Sequence, residues 1–433
     1  MNQSSLFAMN ADNGIKIQNI DAAFGGSKVK GKLAQKCTAV APRSMHYLEN
    51  HTSAVMLYAE PPQSFMRYFK YLYGFDPNVL FPASLPDWHT DGLSLIYTVL
   101  DDRNLVEHIA KIGRSNNWSI TPFIPHPLVF ELSDRTGLPV NGMDRVNVLS
   151  DKVGMLNDKS IFQKLCRGIG IPTPKSHHAR GWRQMVYAAR AAINRHGAVM
   201  LRCARAAGGL GNLKVTREEL NGSDLGSYLE RTIGHDRDNW ENDTVLVERV
   251  LDVASSPSTL VYIEENGEPR FVADSMQRLK DMKFIGAQIP SGIPNKVLRK
   301  LVSHALDYAR VVSDMGGRGW CGIDWGLLRN GDYVAFESNY RFGGNNHALA
   351  IRRKLDYHGV SISNDALTVS NSLRFEEVWG KLDSTGLGWD HKSREGIVVS
   401  IPPSDGSMGY VALAPSASRA EELSDDFERH FHC

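Results

Sequence analysis

Asp324, Glu337 and Asn339 are the residues whose types and spacing could do chemistry most directly. Between the two acids lies Asn330-Gly331, a dipeptide that tolerates positive φ at both positions and is the strongest short hairpin signal a sequence offers. If those two residues are the whole loop, Arg329 faces Asp332, Leu327 faces Val334, and Asp324 faces Glu337. Directly opposed residues have Cβ atoms about 4.5–5.5 Å apart, and like charges there destabilise the pair. Two buried carboxylates so placed require a cation. Asn339 is two residues past Glu337 and therefore points to the same face, and Arg341 two further does so if the chain stays extended. Asp, Glu and Asn oxygens with few other protein groups suit Mg²⁺ shared with substrate phosphates. The competing reading is a surface hairpin with an accidental acid pair, and the rest of the chain has to decide between them.

Several further residues bear on that choice. Asp158 is placed to cap a helix whose apolar face is Ile161, Phe162, Leu165 and Ile169. Lys159 then sits in the first turn, where the helix dipole disfavours a cation but where a lysine facing an anion has a use. The stretch 198–203 reads as a buried strand carrying Arg202. It is followed by Gly208, Gly209 and Gly211 and by a second strand at 213–215. A strand, a glycine-rich turn and a strand make a hairpin flap, and glycines let backbone N–H groups approach phosphate oxygens. The strand 244–251 holds one acid, Glu248, among apolar neighbours. A buried carboxylate needs a partner, so Glu248 either forms a salt bridge or accepts from the exocyclic amine of a base. Arg278, Lys280 and Lys283 follow Asp274 as a run of cations.

The elements that must position these residues alternate in type. Before residue 150, strands at 54–59, 93–100 and 120–124 alternate with helices at 63–73 and 104–112, which indicates an α/β layer with parallel pairing. A helix at 182–196 closes at Gly197, and Thr216 with Glu219 forms a capping box that opens a helix towards Ile233. Strands at 258–263 and 270–273 are joined by Asn266-Gly267. Pro294 at the first helical position opens a long helix to about Met315. Helices are expected at 344–357 and 364–381. Strands at 396–401 and 409–413 form a small sheet, and an acidic amphipathic helix at 419–431 ends the chain.

Composition sets the bounds. The chain has 433 residues, with 49 basic and 48 acidic residues, so a net charge of +1 gives no electrostatic case for nucleic acid or membrane. Five scattered cysteines without a CxxC pair suggest neither a zinc site nor a disulfide framework, and a reducing cytoplasm fits. The first ten residues lack the basic and apolar regions of a signal peptide, and no apolar run approaches bilayer length.

Taken in order, these features resemble the ATP-grasp superfamily over about residues 150 to 355. The resemblance implies an α/β (α+β) fold. An N-terminal α/β pre-grasp domain would span 1–150. An ATP-grasp domain of two subdomains would span 151–385, with its flap at 204–214, and a small C-terminal subdomain 386–433. It further implies that Lys159 and Arg202 bind phosphate, with Arg202 standing where a second lysine is usual. Gly208, Gly209 and Gly211 would cover the phosphates. Glu248 and the backbone of Val250 would form the adenine hinge, with Asp252 as a substitute for the ribose-binding acid. Asp324, Glu337 and Asn339 would hold one or two Mg²⁺ ions (or Mn²⁺), and Arg341, with Arg278 or Lys280, would hold an acyl phosphate. The activity implied is ATP-dependent joining of a small-molecule carboxylate to an amine or peptide, releasing ADP and phosphate. A homodimer is compatible with this reading. The chain is also similar to natural-product peptide ligases of the pheganomycin-biosynthesis type, which implies a role in antibiotic biosynthesis. A nucleotide-binding regulatory protein and a small-molecule kinase are the alternative readings.

Overall fold

The computed structural model describes residues 14–24, 29–206, 211–234 and 237–431. The first segment forms a parallel sheet of β1 (Gly14–Ile17), β2 (Ala54–Met56), β3 (Val79–Leu80) and β4 (Ser119–Pro122), in the order β3-β2-β1-β4. Parallel neighbours need crossover connections, and these cover the sheet. One is the helix Gln63–Tyr73, which buries Phe65, Tyr68, Phe69 and Leu72. The stretch 93–100, expected as a strand, is instead the helix Leu95–Asp101. Its apolar residues Leu95, Ile96, Val99 and Leu100 fall on one helical face.

A second, antiparallel sheet has its own core. It is built from β5 (Ser176–Arg180), β6 (Ala198–Cys203), β7 (Asn212–Thr216) and β8 (Thr244–Glu248), in the order β5-β8-β6-β7. The helix Trp182–His196 packs Met185, Ala189 and Ile193 against Val199, Leu201 and Val215. The capping box at Thr216 and Glu219 is present, but the helix it opens stops at Leu220. Asn221 turns left-handed at φ +43°, and a new helix, Leu225–Ile233, starts under an Asp224 cap.

The third sheet has nine strands. They are β9 (Val253–Ser255), β10 (Pro257–Ile263), β11 (Pro269–Lys280), β12 (Lys283–Ile289), β13 (Gly319–Leu328), β14 (Tyr333–Asn339), β15 (Val360–Thr368), β16 (Gly396–Ser404) and β17 (Ser407–Ala414). The order is β14-β13-β10-β11-β12-β15-β17-β16, with β9 paired to β13. The helix Asn295–Asp314 covers one face through Leu301, Ala305, Tyr308, Ala309 and Val312, and Pro294 occupies its N-cap rather than its first turn. The region expected as one helix from 364 to 381 divides into the end of β15, whose opening Val360-Ser-Ile-Ser alternates with period two, and the helix Phe375–Thr385. The C-terminal strands do not make a separate small sheet. They extend the large one through β15, and nearly every residue of β16 and β17 is buried because both faces are covered. One core joins the N-terminal sheet, the large sheet and the C-terminal helix Ala417–Phe431.

Candidate active site

The hairpin β13–β14 places the acids, by a route different from the one expected. Near the turn Leu327 pairs with Tyr333, not with Val334, so the loop is three residues, Arg329, Asn330 and Gly331, with Gly331 at φ +88°. A bulge between Asp324 and Trp325 then restores the offset, and Asp324 pairs with Glu337 and Gly322 with Asn339. The extra residue is Phe336. Bulges next to functional sites commonly re-aim a side chain, and here the bulge also frees the Phe336 carbonyl to accept from Arg202 at 3.3 Å. Strand alternation sends Glu337, Asn339 and Arg341 to one face and Ser338 and Tyr340 to the other. Ser338 contacts Tyr308 of the covering helix at 3.0 Å, and the Tyr340 hydroxyl accepts from the Arg318 backbone N–H at 2.7 Å.

The two acids have opposite surroundings. Glu337 Oε2 lies 3.0 Å from Lys159 Nζ and 3.2 Å from Arg202 Nη2. Burial alone would raise its carboxyl, but Lys159 and then Arg202 override this and hold it well below the ordinary range. Among the described residues Asp324 accepts hydrogen bonds from neutral groups, Ser258 Oγ at 2.5 Å, Asn339 Nδ2 at 2.9 Å and the Gln277 side chain, and it shares the field of Arg341 with Glu337. Burial, and then the facing Glu337, push it up to about 6. Two carboxylates and one amide converge, and among the described residues no group of three or more His, Cys, Asp or Glu could hold a metal unaided. Such a donor set fits a hard divalent cation whose remaining ligands are phosphate oxygens and water.

Lys159 stands at the root of the β6–β7 hairpin. Asp158 caps its helix by accepting from the Ser160 and Ile161 backbone, Lys159 N donates to Ala204 O at 2.9 Å, and Lys159 Nζ donates to Ala206 O. Gly211 closes the hairpin through its carbonyl, which accepts from Cys203 N at 2.8 Å. At φ +73°, a Cβ there would stand 2.7 Å from the Ala206 Cβ. Gly208 and Gly209 lie outside the described residues. Arg202 reaches Glu248 Oε2 at 3.6 Å, and Gln163 Nε2 donates to Glu248 Oε1 at 2.7 Å. The salt-bridge alternative for Glu248 is therefore what its side chain makes.

Several of these groups line one cavity of about 360 Å³ between the second and third sheets. Arg202, Glu248, Val250, Asp324, Glu337 and Asn339 all line it, as does Arg341. Five expected residues do not: Lys159, which meets the lining through Glu337, and Gly211, Asp252, Arg278 and Lys280. Asp252 is exposed at 76% and pairs with Arg329 at 3.1 Å. On β11 the alternation turns Ser275, Gln277 and Leu279 into the cavity, so Arg278 and Lys280 point to the opposite side, with Arg278 Nη1 3.5 Å from Ser363 O. Sequence reasoning missed Ser258, Ser275 and Gln277, which the parity of β10 and β11 would have supplied. It also missed Asn345, whose amide donates to Ser275 Oγ at 2.9 Å, and the far end of the cavity. There Arg43, from the N-terminal segment, pairs with Asp365 at 2.9 Å. His347 is fully buried with Nε2 3.2 Å from the same carboxylate.

Comparison with known proteins gives three kinds of likeness. Residues 377–426 match the family model described as PGM1 C-terminal domain. The chain is 25% identical over 384 residues to the L-propargylglycine–L-glutamate ligase of Streptantibioticus cattleyicolor, covering 81% of this chain and 76% of the relative. Among solved structures, the biotin carboxylase domain of the Hydrogenobacter thermophilus 2-oxoglutarate carboxylase, determined with MgADP, ADP and bicarbonate, superposes with a TM-score of 0.57 at 13% identity. That match covers 97% of this chain and 90% of that one. The Rhizobium etli pyruvate carboxylase gives a TM-score of 0.57 at 12% identity over 97% of this chain, which spans only 37% of that much longer one. The chain has the ATP-grasp fold, with a pre-grasp segment before it and a C-terminal segment after it. No helix among the described residues is long and apolar enough to cross a membrane.

Proposed function

We propose that the protein is an ATP-dependent ligase that joins a carboxylate to an amine through an acyl phosphate, releasing ADP and phosphate. The observation that carries this reading is the half-buried, opposed pair Asp324 and Glu337, with Asn339 beside it, in the cavity wall. Mg²⁺ held by those three residues would neutralise charge on the nucleotide phosphates. Lys159 and Arg202, poised on Glu337, supply fixed positive charge to the transferring phosphoryl group, where little else than positioning and electrostatics is needed. The β6–β7 hairpin lies over the same end and would exclude water, which otherwise hydrolyses an acyl phosphate. The segment after β8, through Val250, borders the cavity where an adenine would sit, and Arg341 borders it where the acyl phosphate would form. The attacking amine nitrogen forms the C–N bond as the C–O bond to phosphate breaks, and its proton leaves to solvent. That the Streptantibioticus cattleyicolor relative carries the name of a ligase of two amino acids supports a narrower reading: an amino acid or peptide acceptor, in the manner of natural-product peptide ligases.

The test is an ADP-release assay over pairs of amino acids. The ligase reading expects release that needs both partners and a product whose mass is the sum of the two less water. A phosphorylated product without an amide would favour a kinase, and nucleotide binding without any release would favour a regulatory protein.

A further inference from the structure

A second cavity, of about 100 Å³, lies on the other side of Arg341. It shares three lining residues with the main cavity, Phe123, Arg341 and Phe342. Segment 341–346 is the partition: Gly343, Gly344 and Asn345 line the main cavity, whereas Asn346 lines the second. Phe342 N donates to Phe123 O at 3.0 Å, and the two rings stack at 6.1 Å, so the partition is tied to the end of β4.

The position has a topological reason. In the sheet order β3-β2-β1-β4, the chain leaves β1 towards β2 on one side, and β4 lies on the other. Ligands of open parallel sheets bind outside the carboxyl ends of strands at such a reversal. Lys16 of β1 and Thr121 of β4 are direct neighbours in register, and both line the cavity.

Its lining has two parts. Tyr47, Tyr262, Trp320 and Phe342 make a continuous aromatic wall, with ring centroids at 5.2 Å (Tyr47–Phe342), 5.6 Å (Trp320–Phe342) and 5.1 Å (Tyr262–Trp320). Around it stand four cations, Lys16, Arg318, Arg341 and Arg353, against two carboxylates, Glu49, which pairs with Arg353, and Glu265. Arg341 also faces Glu337 of the main cavity, so the rim keeps an excess of one positive charge, and an aromatic wall beside it suits a molecule with an apolar body and one carboxylate.

We infer that this second cavity seats the amine substrate, and that this substrate is an apolar α-amino acid. Its side chain lies against the aromatic wall, its carboxylate meets the cationic rim, and its amino group is directed past Phe342 and Arg341 into the main cavity. This rests on the ligase reading for its role, but not for its existence as a binding site.

The test uses the full chain and isothermal titration with L-leucine, L-phenylalanine and glycine, alongside the paired ADP-release assay. L-Leucine and L-phenylalanine should bind at least about tenfold more tightly than glycine, which has no side chain for the wall. Ala350→Phe fills the cavity from the helix Asn346–Lys354 and should weaken L-leucine binding at least tenfold. It should raise KM for the amine with little change in kcat. Tyr262→Ala enlarges the cavity and should shift preference from L-leucine to L-phenylalanine, which keeps the proposal testable if Ala350→Phe does not fold. Equal binding of glycine and L-leucine would overturn it, and so would amine selectivity unchanged in a folded variant. Apolar amino acids that bind and respond to Ala350→Phe, with no ADP released from any pair, would uphold the binding site and remove the ligase reading alone.

Discussion

The two strands of the hairpin each carry a carboxylate into the same cavity, and their neighbours give the two walls different characters. On β14, Glu337 meets Lys159 and Arg202 and is held ionised. On β13, Asp324 meets Ser258, Asn339 and Gln277, and among the described residues no cation hydrogen-bonds to it; the Arg341 charge is shared with Glu337. One wall is complete without a ligand; the other stores unfavourable electrostatics that a bound cation would relieve. The difference teaches that a metal site can be read from a carboxylate lacking its counter-charge as readily as from a cluster of ligands.

The largest effect should come from breaking the complete wall. Glu337→Ala leaves Lys159 and Arg202 facing each other without their shared anion, and it removes a metal ligand. ADP formation should fall by at least about 10³-fold in a coupled assay. Asp324→Asn breaks the other wall with the opposite consequence for stability. It removes a half-buried charge that Glu337 repels, so the ligand-free protein should gain about 1–3 kcal/mol in chemical denaturation, while the Mg²⁺ concentration for half-maximal ADP release rises at least tenfold.

The same contrast fixes the pH dependence of the ligand-free protein. Asp324 titrates higher folded than unfolded, so its contribution to stability grows as pH is lowered from neutrality through about 6 towards the ordinary value of 3.8. Glu337 titrates lower when folded, so its contribution is present above its ordinary value of 4.5 and is lost as pH falls further. The melting temperature should therefore pass through a maximum at mildly acidic pH in a calorimetric series, and Asp324→Asn should flatten the limb towards neutrality.

The smallest effects sharpen the comparison by position along one strand. Gln277→Ala, which removes a donor to Asp324, should lower kcat/KM about tenfold, within the usual range for one hydrogen bond to a charged group. Arg278→Ala and Lys280→Ala, one and three residues along, should change it less than twofold because both point away from the cavity.

What was legible in the sequence follows the reach of each signal. The hairpin acids, the Asp158 cap and the glycine-rich hairpin are local, and turn chemistry, capping and alternation register them within a few residues. The turn itself was misjudged by one residue, and the bulge at Phe336, which no local pattern marks, cancelled the error before it reached Asp324. Arg278 and Lys280 fall on the wrong face because β11 runs to Lys280, past Ala273 where the apolar sequence pattern of the strand stops. Extended to Lys280, its parity would have selected Gln277. Arg43, Asp365 and the aromatic wall of the second cavity join segments more than 200 residues apart, and no spacing rule reaches that far. The C-terminal strands looked like a separate sheet because an almost wholly apolar run says that both faces are covered, not by what.

The most direct test of the central claim is the anomalous scattering of Mn²⁺ in crystals of the protein grown with ADP. The account predicts a peak about 2.0–2.3 Å from carboxylate oxygens of Asp324 and Glu337 and from the amide oxygen of Asn339, bridged to a nucleotide phosphate. A nucleotide bound in the cavity with its metal held elsewhere, and Asp324 still held by Ser258, Asn339 and Gln277, would contradict it.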